Sequence, residues 1–380
     1  MIKEPAYPAA RVVAAKVHSH FAQDLATAGH PGPLVAASLP EPGTMEAVID
    51  AAFWASLRRE EGYSPRISLA FLEPQGADRA MRFERPLPLT PMNLVSLAAA
   101  VERPGIHLGV WREDGRICLW GATRKIPPLC FVLEVVAPGL LVIKHRRAEE
   151  ASKFVNIAVL EGDQIKVLDP QAAKLPGCPN LVLGLLGFDP MGTQPESVSL
   201  LVQLAVSMRA HGRGGTLLVV PAGTRAWHES IMDPVRYSVS PPFDRMAALV
   251  RERPSGRDDG AWQERVRPLI DTIAGLTAVD GATVITHDYG LHAFGAKIRR
   301  REGWPMVEQV ILTEPIEGAT VERLAPGQVG GTRHSSAAQF AHDQRDAIAL
   351  VASQDGRFTA FAWSDCEQAV HAHRLEALLL

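Results

Sequence analysis

The sequence predicts an α/β (α+β) chain of two domains, 1–190 and 198–380. Three observations carry this. Helix-like and strand-like segments alternate in both halves. The apolar runs are short and bounded by Gly, Pro and polar residues. One stretch, "GFDPMGTQPES" (Gly187–Ser197), is rich enough in Gly and Pro to mark a boundary. The 380 residues suffice for two or three domains, and 47% hydrophobic with 21% charged residues is a globular composition. A formal net charge of -3 argues against a nucleic-acid partner recruited by bulk charge. Cys118, Cys130, Cys178 and Cys366 lie far apart with no CxxC pair, which reads as scattered thiols in a reducing compartment. No apolar run is long enough to span a membrane, and the charged, proline-containing N-terminus lacks a secretory apolar core. A cytoplasmic protein without membrane or nucleic-acid partners is expected.

In the first half, "GPLVAASL" (Gly32–Leu39) reads as a short strand. "TMEAVIDAAFWASLRREE" (Thr44–Glu61) reads as a helix with Thr44 as N-cap and Arg58 and Arg59 near its end, as the helix dipole favours. "RISLAFLE" (Arg66–Glu73) is a strand, and "TPMNLVSLAAAVE" (Thr90–Glu102) is a helix with Pro91 in its first turn. "IHLGVWRE", "DGR" and "ICLWGA" make a hairpin, because Asp-Gly supplies the positive-φ residues of a tight turn. "FVLEVVAPGLLVIKHR" and "VNIAVLEGDQIKVLD" add strands broken at "APG" and "EGDQ". No catalytic cluster is visible in this half.

In the second half, Val198–Gly212 is a helix with an apolar stripe through Leu201, Leu204, Val206 and Met208, stopped by Gly212. "GGTLLVVP" (Gly214–Pro221) is a buried strand, and Pro242–Pro254 a short helix. Ser255–Gly260 is a charged loop, and Ala261–Val279 a helix bent near Pro268. Asp280–Ile298 is a turn, a strand, a second turn at "DYG" and another strand. Asp346–Trp363 is a hairpin. No internal sequence repeat is found.

Two segments of the second half can carry chemistry. Asp280-Gly281-Ala282 places an acid at the mouth of a strand, where the carboxylate can hold a hard cation and the glycine lets backbone approach a ligand; a plain turn is the alternative. Gly330-Gly331-Thr332-Arg333-His334-Ser335 precedes a helix-like stretch. Its glycines allow unusual φ angles, so that amides can converge on an anion. Arg333 and His334 add donors suited to phosphate, and the helix N-terminus favours negative charge. A capped helix with two exposed polar side chains is the alternative.

"DGA", then "GTRH" some fifty residues on, then a strand hairpin resembles the diadenylate cyclase (DAC, checkpoint-controller nucleotide-binding) domain family over about the last 180 residues. "RGGTLLVVP", "LHAFGAKI" and "ALVASQDGRFTAF" fall in that family's order. The resemblance implies a central mixed β-sheet flanked by helices. It implies condensation of two ATP molecules to cyclic di-AMP and pyrophosphate with Mg²⁺ or Mn²⁺, in a homo-oligomer whose domains face each other. It assigns metal binding and activation of the 3′-hydroxyl to Asp280, with Gly281 and Ala282 against the nucleotide. Gly331, Thr332, Arg333, His334 and Ser335 form the phosphate turn, and Ser353 and Asp355 stand in the closing hairpin. The family's Arg-His-Arg is Arg333-His334-Ser335 here, and its Ser-Glu-Glu is Ser353-Gln354-Asp355. These exchanges keep open a domain that binds ATP or a cyclic dinucleotide without cyclising it. The first half resembles sensor-like domains found ahead of such cyclases, and implies an unknown small-molecule signal.

Other polar clusters read as structure. His18-Ser19-His20 lacks further metal ligands, and "THDYGLH" (Thr286–His292) sits at a hairpin tip. "KHRRAEE" (Lys144–Glu150) reads as a solvated face, and "LGLLGF" (Leu183–Phe188) is too short for a dinucleotide fingerprint.

Overall fold

The computed structural model describes residues 6–27, 38–77, 79–146, 154–169, 198–252 and 259–380. The chain divides into two compact units, 1–168 with Leu380 and 169–379. The expected boundary at Gly187–Ser197 lies outside the described residues, as do Cys178, "LGLLGF" and most of Gly32–Leu39 and Ser255–Gly260. Ser38 and Leu39 belong to no strand. Both units mix helices with a mixed β-sheet, an α+β architecture.

The first unit begins with α1 (Pro8–Thr27) and α2 (Pro42–Ser56). Strands β1 (Ile67–Phe71) and β2 (Met81–Pro88) follow, then α3 (Pro91–Val101). The hairpin β3 (His107–Glu113) and β4 (Arg116–Thr123) comes next, and β5 (Val132–Ala137), β6 (Leu140–Arg146), β7 (Phe154–Glu161) and β8 (Gln164–Val167) complete the sheet. Its order is β2-β4-β3-β1-β5-β6-β7-β8. β1 is buried throughout because its two faces meet different cores. Ile67, Leu69 and Phe71 pack with Met45, Ile49 and Leu94 of the helices, while Ala70 and Leu72 pack with Trp120 and Cys130. Asp114 and Gly115 both adopt positive φ at the β3–β4 turn, as that dipeptide favours. Thr90 caps α3, accepting from the Asn93 amide at 3.2 Å.

Two expectations for α2 need correction. Its N-cap is Glu41, with Pro42 opening the first turn, and Thr44 is buried inside the helix. The helix ends at Ser56, so Arg58 and Arg59 lie beyond it. The "KHRR" run is likewise not a solvated face where it is described. Lys144 and His145 are buried in β6, and Lys144 pairs with Glu134 at 2.7 Å.

The second unit runs α4 (Val198–Ala210), β9 (Gly215–Val220), β10 (Tyr237–Phe243), α5 (Arg245–Arg251) and α6 (Asp259–Leu276). After these come β11 (Ala282–Thr286), β12 (Leu291–Ala296), β13 (Val310–Thr313), β14 (Glu322–Leu324), α7 (Pro326–Val329), α8 (Thr332–Asp343), β15 (Ile348–Ala352), β16 (Phe358–Ser364) and β17 (Ala369–Arg374). The α4 stripe is Leu200, Leu201, Leu204, Ala205 and Met208; Val206 instead faces solvent. Pro268 lies inside α6. The sheet order is β10-β12-β11-β9-β15-β16-β17-β13-β14.

The two sheets repeat one topology. In each, a parallel central pair (β1 with β3, β9 with β11) carries an antiparallel hairpin partner (β4, β12) and an edge strand (β2, β10). On the other side, three antiparallel strands follow (β5-β6-β7, β15-β16-β17). The repeat escapes the sequence because sheet order depends on alternation and burial, which many side chains satisfy.

Candidate active site

Four segments meet at one end of the second sheet. β9 and β11 run parallel with Thr216 opposite Ala282, so Gly214 and Asp280 arrive at the same end. β15 runs antiparallel to β9 with Ala352 opposite Gly215, so Ser353-Gln354-Asp355 leaves the sheet there as well. α8 packs on β15 and β16, and its first turn brings Arg333 to Gly214. A Cβ on Gly214 would stand 3.0 Å from Arg333 Nη1 and 3.3 Å from both the Ala352 carbonyl and Gln354 Cγ. Gly214 also has φ +70°, so glycine is required twice over. Gln354 Nε2 donates to the Arg213 carbonyl at 3.3 Å and ties the closing turn to this loop.

Asp280 is the exposed acid of the group, its side chain 90% accessible. Its Oδ2 accepts from Lys297 Nζ at 2.5 Å. The hydrogen bond and charge of Lys297, helped by Arg333, hold its carboxyl below the usual carboxylate range. Gly281 has φ +119°, and a Cβ there would come within 2.4 Å of the Gly295 backbone. Its bareness therefore serves close packing of β11 on β12, and the Ala282 side chain is buried in the core. Any contact these two make with a ligand is through backbone or Hα.

The "GGTRH" turn departs from the expected nest. Gly330 is extended and Gly331 has φ -76°, so neither glycine is in the left-handed region. Gly330 is needed for another reason: a Cβ would strike the His334 ring at 2.3–2.6 Å. Gly331 caps α8, and its carbonyl accepts from the amides of His334 and Ser335 at 3.0 and 3.3 Å. Thr332 and Arg333 are exposed at the helix N-terminus, where backbone amides and dipole favour an anion. Ser335 is half-buried.

His334 is buried, only 4% exposed, and its Nε2 has no hydrogen-bond partner. Burial pushes its pKa down; Asp355 opposes this, while Arg357, Arg374 and Arg333 add to it. An unpaired buried imidazole nitrogen is costly, and Thr283 Oγ1 and His371 Nε2 of this unit are enclosed without a partner in the same way. Asp355 is held below the usual carboxylate range chiefly by the Ser353 hydroxyl, and its Oδ2 lies 3.5 Å from Arg357 Nε. Three guanidiniums and one carboxylate thus act on His334, a surplus of positive charge suited to phosphate.

Among the described residues no group of three His, Cys, Asp or Glu side chains is arranged to hold a metal ion. Asp280 alone fits a hard cation only as one ligand among several, the rest having to come from a bound ligand or water. "THDYGLH" is a structural turn, with Tyr289 at φ +69° and the Gly290 amide on Thr286 Oγ1 at 3.0 Å. Sequence reasoning missed Lys297, Gly214, Arg357 and Arg374. A lysine closing the apolar run "LHAFGA" was the available signal for the first.

By fold and side chains, the second unit is an α+β domain with an arginine-rich, acid-bearing sheet end. In the first unit, residues 35–124, from the segment before α2 to the end of β4, match the family model described as "Probable sensor domain DACNV". The match covers under half of the chain and concerns that region. No curated protein matches the chain.

Proposed function

We propose that the chain is a sensor-regulated diadenylate cyclase. The second unit would condense two ATP molecules into cyclic di-AMP and two pyrophosphates, and the first would respond to a small-molecule signal. The observation that carries this reading is the convergence of Asp280, Arg333, His334 and the Ser353–Asp355 turn at one sheet end. The match of residues 35–124 to a probable sensor domain supports the regulatory half.

In this reading the amides at the head of α8 and the Arg333 guanidinium bind the triphosphate. His334, enclosed against Gly330, would donate to a phosphate oxygen once the α8 turn opens to admit one. Arg357 and Arg374 supply the positive charge that Ser335 does not. Mg²⁺ or Mn²⁺, held by Asp280 and the phosphates, would neutralise charge at the α-phosphate. Asp280 orients the ribose 3′-hydroxyl. That oxygen gives up its proton to water and bonds to the α-phosphorus of the ATP on a facing domain, the bond to the leaving pyrophosphate breaks, and the second half-reaction mirrors the first. Facing domains make a homo-oligomer necessary, so specific activity should rise with protein concentration until assembly saturates.

A second reading, binding of ATP or a cyclic dinucleotide without turnover, is favoured by one observation: the Asp280 carboxylate already carries Lys297. Incubation of the purified chain with ATP and Mn²⁺, with products identified by mass spectrometry, separates the two. Cyclic di-AMP above an Asp280→Asn control supports the cyclase. Nucleotide binding with no product above that control supports the sensor.

A further inference from the structure

Lys297 is the first residue after β12, and register fixes its partner. Ala282 lies opposite Ala296, so the turn residue Asp280 and the strand-end residue Lys297 are brought together where the two strands open. The contact of Gly281 on Gly295 brings these backbones closer than any side chain would allow. The lysine backbone is pinned, its carbonyl accepting from the Met232 amide at 2.8 Å, and Ile298 bridges to Ile231. Its stem is half-exposed, and its ammonium is on Asp280 Oδ2. The other charged group acting on Asp280 is again a cation, Arg333, and no acid among the described residues acts on it.

We infer that Lys297 is a resident counter-cation: it holds the Asp280 carboxylate while no nucleotide is bound, turns to the phosphates of a bound nucleotide, and in both places competes with a divalent ion. This rests on the proposed role of Asp280. A dication approaching a carboxylate that carries an ammonium meets repulsion as well as attraction. The pair is exposed, so the lysine is released at small cost. Its flexible stem and compact charge then suit a phosphate oxygen.

The test uses the full chain and an ATP analogue with a methylene bridge between the α and β phosphorus atoms. Mn²⁺ binding is measured by electron paramagnetic resonance with the analogue present, and analogue binding by calorimetry in a chelator. Lys297→Gln should tighten Mn²⁺ by about three- to tenfold and weaken the metal-free analogue by a similar factor. Lys297→Arg, which keeps the cation, should behave as the unmodified chain. Unchanged or weaker Mn²⁺ binding in Lys297→Gln overturns the competition, and unchanged metal-free binding overturns the move to phosphate. Asp280→Asn separates this from the site itself. If it leaves Mn²⁺ binding intact, the role of Asp280 fails. If it abolishes Mn²⁺ binding while Lys297→Gln changes nothing, the site stands and the Lys297 inference falls.

Discussion

The two units share seven strands in the same order and sense, yet the equivalent sheet ends differ: one gathers Asp280, Arg333 and His334, the other Ser68, His107 and Glu134. The difference lies mainly in one connection. In the first unit, residues 124–131 lead from β4 to β5 without a helix. In the second, residues 297–347 join the equivalent strands, β12 and β15, and contain β13, β14, α7 and α8. Lys297, Arg333, His334 and Ser335 all belong to that longer connection. At the corresponding end of the first sheet, β3 is entered by Glu102-Arg103-Pro104-Gly105-Ile106, whose acid is five residues from the strand, whereas Asp280 is two residues from β11. A common scaffold thus carries different side chains at its end, in part because of what is attached to it.

The sharpest way to break the comparison is Asp280→Asn. It should lower cyclic di-AMP formation about a hundredfold or more and leave the circular dichroism spectrum unchanged, since the side chain is exposed. Product at the rate of the unmodified chain would remove the chemical contrast between the units.

Next in size are two glycines at equivalent strands. A Cβ on Gly121 of β4 would lie 2.1 Å from the Met81 carbonyl, and one on Gly295 of β12 would lie 2.8 Å from the Tyr237 ring. Both have positive φ. Each alanine substitution should destabilise, by about 2–4 kcal/mol at Gly121 and less at Gly295, where a ring can shift and a backbone carbonyl cannot. Urea denaturation checks the order; equal or reversed costs would show that the two positions are not packed alike.

Acid sensitivity separates the units more finely. His107 in the first unit is buried, bonds to Ser68 Oγ at 2.7 Å, and has its pKa pushed down to about 4, mainly by burial. Because the folded pKa lies below the unfolded one, the unfolded chain takes up the proton first. Stability is therefore full above about pH 6.5 and falls as pH drops toward 4, by on the order of 2–3 kcal/mol. His107→Gln should flatten that slope in urea titrations between pH 7 and 4. His373 on β17 of the second unit, bonded to Thr313 Oγ1, is pushed down to about 3 by burial and should leave a residual slope.

The smallest effect concerns affinity. Arg333→Ala should weaken ATP binding by about 1.5–3 kcal/mol, less at high salt, and leave adenosine binding unchanged. Ser335→Arg should tighten ATP. Calorimetric titration decides, and equal ATP affinity for Arg333→Ala and the unmodified chain would reduce the α8 turn to a helix cap.

What the sequence made legible follows physical lines. α3 and the β3–β4 hairpin were readable because Thr90-Pro91 and Asp114-Gly115 act locally. β2 ("MRFERPLP") and β10 ("YSVSPPF") were not, because edge strands tolerate proline and lack an apolar alternation. β17 hides behind two histidines, one of them bonded to Thr313 Oγ1. At the candidate site, Asp280, Arg333 and His334 stood out as residue types in a motif. The fit of Gly330 under an imidazole and the pairing of Lys297 depend on strands meeting in space, which no local pattern encodes.

The strands joined by the connection between β12 and β15 are joined in the first unit by a short link, so the sheet does not need it to exist. One contiguous segment thus brings Lys297, Arg333 and His334 to a sheet end where the strands themselves already place Asp280 and the Ser353–Asp355 turn. Transplanting 297–347 in place of 124–131 would test that division.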